Sequence, residues 1–400
     1  MISGDALIVL QTVTRYPFTL KRIHPLRKKF LLLSLLPLGV SQLLFAQRYY
    51  LFVGSYNQDK SKAGIYIYRF NPGDGTVQAA SAVSQVLNPA YLVPSADGHY
   101  LYACTEAQTP GAGSVTSYSF NPETGEAVWR SSQPAGGENP VYITEHNSRR
   151  WLAVANYTGG CAAVLPVKDG YIGKAAQVLV FRDSSLTDRQ RSSHVHSAVL
   201  DPTHRFLLLP DLGADKIRCF SFDADNAQPL QPATPPFTAT VPGSGPRHFT
   251  FHPRLPLAYC IEELSGMVSV YRYGNGRLDS LQRITAHYTR RKGDNYGGAD
   301  IHTSPDGRFL YVSTRMDENI IVTYAIDPVS GLLRKIAHQS AGGNHPRNFV
   351  IDPTGRYLLV ANQMSNNIVV FERNVQTGLL KRTGTELTMP APSCLQIKAY

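Results

Sequence analysis

The chain has 400 residues, 43% of them apolar and 17% charged, with a formal net charge of +10 from 39 Lys and Arg against 29 Asp and Glu. The basic excess is spread thinly or gathered near the N-terminus, which excludes the basic face or recognised motif of a nucleic-acid binder. The 22 Tyr, 32 Gly and 27 Pro suit many short strands joined by tight turns.

Residues 27–46, from Arg27-Lys-Lys through an apolar run to Ala46, read as a secretory signal cleaved before Gln47. Pro37, Ser41 and Gln42 interrupt the run, which is too short for a membrane span; an uncleaved anchor is the alternative. Residues 1–22 lie upstream of an ordinary basic start, as a translation start placed too early would leave them. No Cys stands at the cleavage point, so no lipid anchor is expected. The expected division is an extension with signal peptide over 1–46 and one domain over 47–400, placing the mature protein in the periplasm or outside the cell.

The mature part begins with Tyr49-Tyr-Leu-Phe-Val-Gly-Ser-Tyr56 and Gly64-Ile-Tyr-Ile-Tyr-Arg-Phe70, which match the second and third strands of a repeated unit. First strands start at Pro89, Pro140, Val195, Pro246, Gly298, Pro346 and Pro392, in steps of 51, 55, 51, 52, 48 and 46 residues. A turn such as Ser304-Pro-Asp-Gly307 or Asp352-Pro-Thr-Gly355 leads to a second strand. Third strands such as Met267-Val-Ser-Val-Tyr follow, and turns such as Asn121-Pro-Glu-Thr-Gly125 lead to a fourth. Four strands in about fifty residues make a propeller blade. The C-terminal Ser393-Cys-Leu-Gln-Ile-Lys398 supplies the first strand that the N-terminus lacks. The prediction is an all-β, seven-bladed β-propeller of four-stranded antiparallel blades, closed by pairing both chain ends in one blade.

Five cysteines are an odd number, and Cys104, Cys219 and Cys260 sit in apolar strand patterns as small hydrophobes. No structural disulfide is expected, and no Cys-x-x-Cys suggests zinc or redox chemistry.

Alternating strands return the end of the second strand to the face where the first begins. One residue after the anchors stand Ala90, Val141, His196, Arg247, Ala299, Arg347 and Ser393, so three blades carry imidazole or guanidinium where the others are small. Seventeen residues after the anchors come Glu106, Tyr157, Leu212, Glu263, Arg315 and Gln363, with Tyr56 from the shared blade. His248, Asp300 and His302 lie close by in sequence. Arginine forks suit a carboxylate, phosphate or developing oxyanion, and Glu or His can activate water. Set against this, His248 and His302 can serve as inter-blade hydrogen-bonding groups, Arg247 with Glu263 as a structural ion pair, and His194 as a loop histidine.

Gly245-Pro-Arg-His-Phe-Thr-Phe-His-Pro253, Glu263-Leu264, Ala299-Asp-Ile-His-Thr-Ser-Pro-Asp-Gly-Arg308 and His345-Pro-Arg-Asn-Phe349 resemble the seven-bladed lactonase family. That family holds the propeller-type 6-phosphogluconolactonases and the fungal carboxy-cis,cis-muconate lactonizing enzymes. The resemblance runs over residues 49–400 and implies hydrolysis of a sugar lactone with neither metal nor organic cofactor. Carried over by motif, it implies catalytic roles for His196, Arg247, Glu263 and Arg347. Glu263 or His196 would activate water, and Arg247 and Arg347 would hold the carbonyl and the anionic group. Arg315, Glu106, Tyr157, Asp300, His302 and His248 would complete the substrate pocket. The expected partner is a small anionic lactone or sugar, with no nucleic acid, no stable membrane span after signal cleavage, and a monomer or weak dimer.

The signal segment departs from a cytoplasmic phosphogluconolactonase and points to another lactone. The alternatives are a lactone-forming cycloisomerase or a non-catalytic exported binding propeller. A calcium-dependent lactonase would need Glu106, Asn156 and Asp211 to meet near the axis.

Overall fold

Apolar–polar alternation in runs of six to ten residues, cut by Asn-Pro, Pro-Asp-Gly and Asp-Gly turns, favours short antiparallel strands. The computed structural model describes residues 47–105, 113–288 and 296–400, together with Pro17 and Thr19. Among these residues the strands form seven antiparallel sheets in a propeller, and Gln47–Tyr400 make one compact unit. The predicted signal segment lies outside the described residues.

Blade 1 runs outward from Pro392–Ala399 through Tyr49–Ser55 and Ile65–Phe70 to Val77–Val83. Blade 2 begins at Pro89–Pro94, blade 3 at Pro140–Glu145, blade 5 at Pro246–Phe251, blade 6 at Gly298–Thr303 and blade 7 at Pro346–Ile351. Blade 4 departs from the pattern: its inner strand shrinks to Val199–Leu200, and the anchor Val195 makes only an isolated bridge to Asp211. Blade 3 splits its outer strand into Tyr171–Ile172 and Gln177–Val180. The chain ends close the ring as expected, Tyr49–Ser55 pairing with Pro392–Ala399, and Arg48 and Tyr400 exchange backbone hydrogen bonds of 3.1 and 2.7 Å.

Buried apolar side chains gather between neighbouring blades. Tyr259, Ile261 and Val270 of blade 5 pack with Ile301, Leu310 and Val312 of blade 6, and Phe309 and Tyr311 of blade 6 with Phe349 and Val360 of blade 7. All five cysteines are buried.

A recurrent lock sets the spacing between blades. The glycine ending the turn between third and fourth strands seats against the aromatic start of the neighbour's second strand, in the left-handed region that favours glycine. Gly378, at φ 76°, lies so close to Phe309 that an added β-carbon would come within 2.4 Å of the ring, while Tyr311 Oη donates to the Gly378 carbonyl at 2.7 Å. Gly378→Ala is therefore expected to cost about 2–5 kcal/mol, the sum of a left-handed β-carbon and an overpacked contact. The urea unfolding midpoint measures it, and an unchanged midpoint would show that the lock bears no strain.

Candidate active site

Two repeated backbone features bring the predicted positions together. The residue before each Pro or Gly anchor adopts positive φ (Asn88, Asn139, Gly245, Gly297, His345 and Ala391). Its carbonyl accepts the amide of the residue seventeen after the anchor in Tyr157, Glu263, Arg315 and Gln363, at 2.7–3.0 Å. The end of each second strand is thus tied to the start of its first. One residue later the ladder slips: Pro246 pairs with Glu262 and His248 with Ile261, leaving Arg247 in a bulge, and Arg347 is bulged the same way in blade 7. Such bulges re-aim a side chain that a regular strand would direct across the sheet.

Arg247 is almost fully buried at 1% exposure, and its Nε donates to Glu263 Oε2 at 2.9 Å while its Nη1 donates to the Ala299 carbonyl. Its Nη2 has no partner among the described residues. Glu263 also takes Arg315 Nη2 at 2.9 Å on Oε2 and Arg189 Nη2 at 3.0 Å on Oε1. Burial alone would push the Glu263 carboxyl up, but Arg315, Arg247 and Arg189 outweigh it and hold it at about 2. Arg315 is fully committed, since it also reaches the carbonyls of Gly297 and Gly298 and His345 Nε2. Because guanidinium can only donate, His345 Nε2 accepts and the ring is neutral. Burial and the nearby arginines lower its pKa to about 3.

His196 is 6% exposed and packs edge-on to the rings of Tyr157 and His248, with centroids 5.3 and 5.2 Å away. Its Nδ1 is buried with no hydrogen-bond partner among the described residues. Burial, then Arg247, His248 and Arg347, hold its pKa well below the ordinary value, so the ring is neutral. Arg347 donates to Tyr56 Oη at 3.0 Å and lies over that ring. Tyr157 accepts Arg189 at 3.0 Å on its hydroxyl, and His194 stacks flat on it.

The structure therefore groups His196, Arg247, Glu263, Arg315 and Tyr157, with Arg347 acting on His196, Arg247 and Arg315 through its charge. Asp300, His248 and His302 sit one step further along the inner strands. Asp300 is 1% exposed and accepts His248 Nδ1 at 2.7 Å, His302 Nε2 at 3.1 Å, the Phe349 amide at 3.1 Å and Asn348. Asn348 in turn accepts the Leu395 amide at 2.7 Å. This layer stitches blades 5, 6, 7 and 1, so the Asp300 carboxylate and the Nδ1 of His248 are taken up by neighbouring blades. Glu106 lies outside the described residues. Of the calcium candidates, Asp211 is committed to Arg218 at 2.8 and 3.0 Å and Asn156 donates to the Ala135 carbonyl. Among the described residues no group of three or more His, Cys, Asp or Glu could hold a metal ion.

Sequence phase missed two members. Arg189 belongs to a short 3-10 helix, Asp188–Gln190, in the insertion between blades 3 and 4, and the unusual 55-residue step was its signal. His345 stands just before an anchor at φ 64°, where a non-glycine residue is uncommon.

These buried neutral histidines give a pH prediction. His248 is lowered to about 4 by burial and Arg247, and His345 to about 3, against 6.5 when unfolded. Between those values the unfolded chain binds more protons, so stability must fall as pH drops from 6.5 towards 4. His302, raised by Asp300 against its burial, acts above 6.5, where its contribution to stability grows as pH falls and is complete below that value. Thermal melts between pH 4 and 8 read the slope; melting points flat over that range would contradict the neutral assignments.

Comparison with known proteins places these residues in context. The family described as "Lactonase, 7-bladed beta-propeller" matches residues 50–397. A 6-phosphogluconolactonase of Formosa agariphila is 39% identical over 353 residues, covering 88% of this chain and 99% of its own. The Bacillus subtilis 6-phosphogluconolactonase is 30% identical, covering 87% and 98%. The periplasmic gluconolactonase of Pseudomonas aeruginosa superposes with a TM-score of 0.83 at 39% identity, over 88% of this chain and 99% of that one.

Proposed function

The chain belongs to the seven-bladed β-propeller lactonase family, and from that premise we propose that it hydrolyses a sugar lactone at the rim formed by His196, Arg247, Glu263 and Arg347. The observation that carries the assignment of roles is the buried, unpartnered Nδ1 of His196 beside two arginines. Buried polar atoms are nearly always satisfied, and beside two arginines on the rim the natural partner for this nitrogen is water or substrate.

His196 takes a proton from water, and the resulting hydroxide attacks the lactone carbonyl carbon. The π electrons move onto the carbonyl oxygen, where Arg347 and the remaining Nη2 of Arg247 stabilise the oxyanion. Collapse breaks the bond to the ring oxygen, which takes the proton back from His196, and the open-chain hydroxy acid leaves. Glu263 is unsuited as the base: held at about 2 by three arginines, it gains little by taking a proton. Its role is to fix the arginine forks. The negative charge that develops on the carbonyl oxygen offsets Arg247 and Arg347 and so raises the basicity of His196 as the proton moves.

Residues 27–46 are read as a secretory signal, and one related structure is that of a periplasmic gluconolactonase. Both favour an unphosphorylated sugar lactone met outside the cytoplasm. Proton release from glucono-1,5-lactone and from 6-phosphogluconolactone, with spontaneous hydrolysis subtracted, tests the reading. Saturable turnover with the unphosphorylated lactone preferred is expected. Failure with both would remove lactone hydrolysis and leave a binding propeller or a cycloisomerase.

A further inference from the structure

Arg189 links the rim to a second feature. On its other side lies a cleft of about 890 Å³, whose wall also includes Leu264 and Ser265, the residues following Glu263, and Arg283, His287 and Tyr296. This volume falls in the range that encloses a small organic ligand and far exceeds the needs of a phosphate group.

The cleft is built in advance. His287 and Tyr296 stack with ring centroids 4.1 Å apart. Gly266, at φ 61°, lets them close on the backbone: a β-carbon there would meet Tyr296 Cβ at 2.5 Å and His287 Cδ2 at 3.2 Å. The Tyr296 amide donates to the Leu264 carbonyl at 2.9 Å, and Lys335 Nζ to that of His287 at 3.0 Å. Arg283 is held by the buried carboxylate of Glu262 at 2.6 Å, as Arg189 is by Glu263 at 3.0 Å. An apolar ring surface beside fixed donors is what a sugar ring requires, since it offers C–H faces for stacking and hydroxyls for hydrogen bonding. Arg283 has the Glu262 carboxylate and Asp188 adds a second carboxylate to the wall, so although Arg189 shares Glu263 with Arg247 and Arg315, the cleft presents both donors and acceptors. That favours neutral hydroxyls over a phosphate.

We infer that this cleft is a glycosyl subsite, and that the preferred substrate is an aldonolactone bearing a further sugar, with its lactone ring at Arg247 and His196 and its second sugar against Tyr296 and His287. The inference rests on the lactone-hydrolysis reading and names the substrate class of the same site. Its test compares kcat/KM for cellobiono-1,5-lactone, glucono-1,5-lactone and 6-phosphogluconolactone, using the full chain. The disaccharide lactone is expected to be favoured at least about 10-fold over gluconolactone through a lower KM, as the loss of one stacked, hydrogen-bonded ring would imply. Tyr296→Ala should bring that ratio close to one, and Tyr296→Phe should restore it. Equal kcat/KM for the two unphosphorylated lactones in the wild type, or a preference for the phosphorylated one, overturns the subsite while leaving lactone hydrolysis intact. A ratio unchanged by Tyr296→Ala overturns it as well. Turnover of no lactone overturns the lactonase reading, and the subsite with it.

Discussion

Glu263→Gln is expected to lower the unfolding free energy by about 3–5 kcal/mol, the cost of removing one partner from a buried ion pair. The carboxylate is 4% exposed and bridges Arg247, Arg315 and Arg189, the one negative charge among three guanidinium groups. An amide of the same shape keeps one accepting oxygen, turns the other position into a donor facing guanidinium N–H, and carries no charge, leaving two buried guanidinium groups to repel each other and the half-exposed Arg189 to swing away. The urea midpoint should fall, and sulfate or phosphate should recover part of the loss by standing in for the carboxylate. Activity should fall too, because Arg247 loses the contact that fixes its fork. A variant as stable as the wild type would show that the cluster holds itself without its anion.

His196→Gln should leave the fold in place and lower kcat by about 10²- to 10⁴-fold, the usual worth of a general base. Two observations separate this from a structural role. No hydrogen bond fixes the His196 Nδ1, so the fold loses little with it, whereas its neighbour His248 holds Asp300 at 2.7 Å and should damage folding when removed. The neutral ring also sets a pH profile. Because burial and the arginines lower its pKa, kcat/KM should stay level from pH 8 to below 6.5 and fall only as pH drops through that lowered value. A variant retaining full kcat would show that another residue supplies the base.

The architecture was legible because the anchors carry backbone demands that sequence records directly. Pro246 and Pro346 follow residues in the left-handed region, Gly245 and His345, and the amides of Glu263 and Gln363 return to those same two carbonyls. Counting from the anchor therefore predicted which side chains share the rim, including Arg247, Glu263 and Arg315. It could not distinguish the rim from the layer behind it. Asp300 and His248 are one residue further on in phase, and only the structure reveals that the Asp300 carboxylate and the His248 Nδ1 are absorbed by adjacent blades. Nor could it choose between Glu263 and His196 as the base, because that depends on how many arginines surround each. Blade 4 broke the pattern in a useful way: Val195 kept its register, but the strand after it is pared to Val199–Leu200, and the insertion before it delivers Arg189. An insertion has no phase to count from.

The most direct test of the account is a pH-stat assay of glucono-1,5-lactone hydrolysis by the wild type and His196→Gln at pH 7, with both proteins shown to be folded by thermal melting. The account predicts saturable proton release above the spontaneous rate for the wild type and a rate near background for the variant. Equal rates for the two folded proteins, whether both fast or both at background, would contradict it.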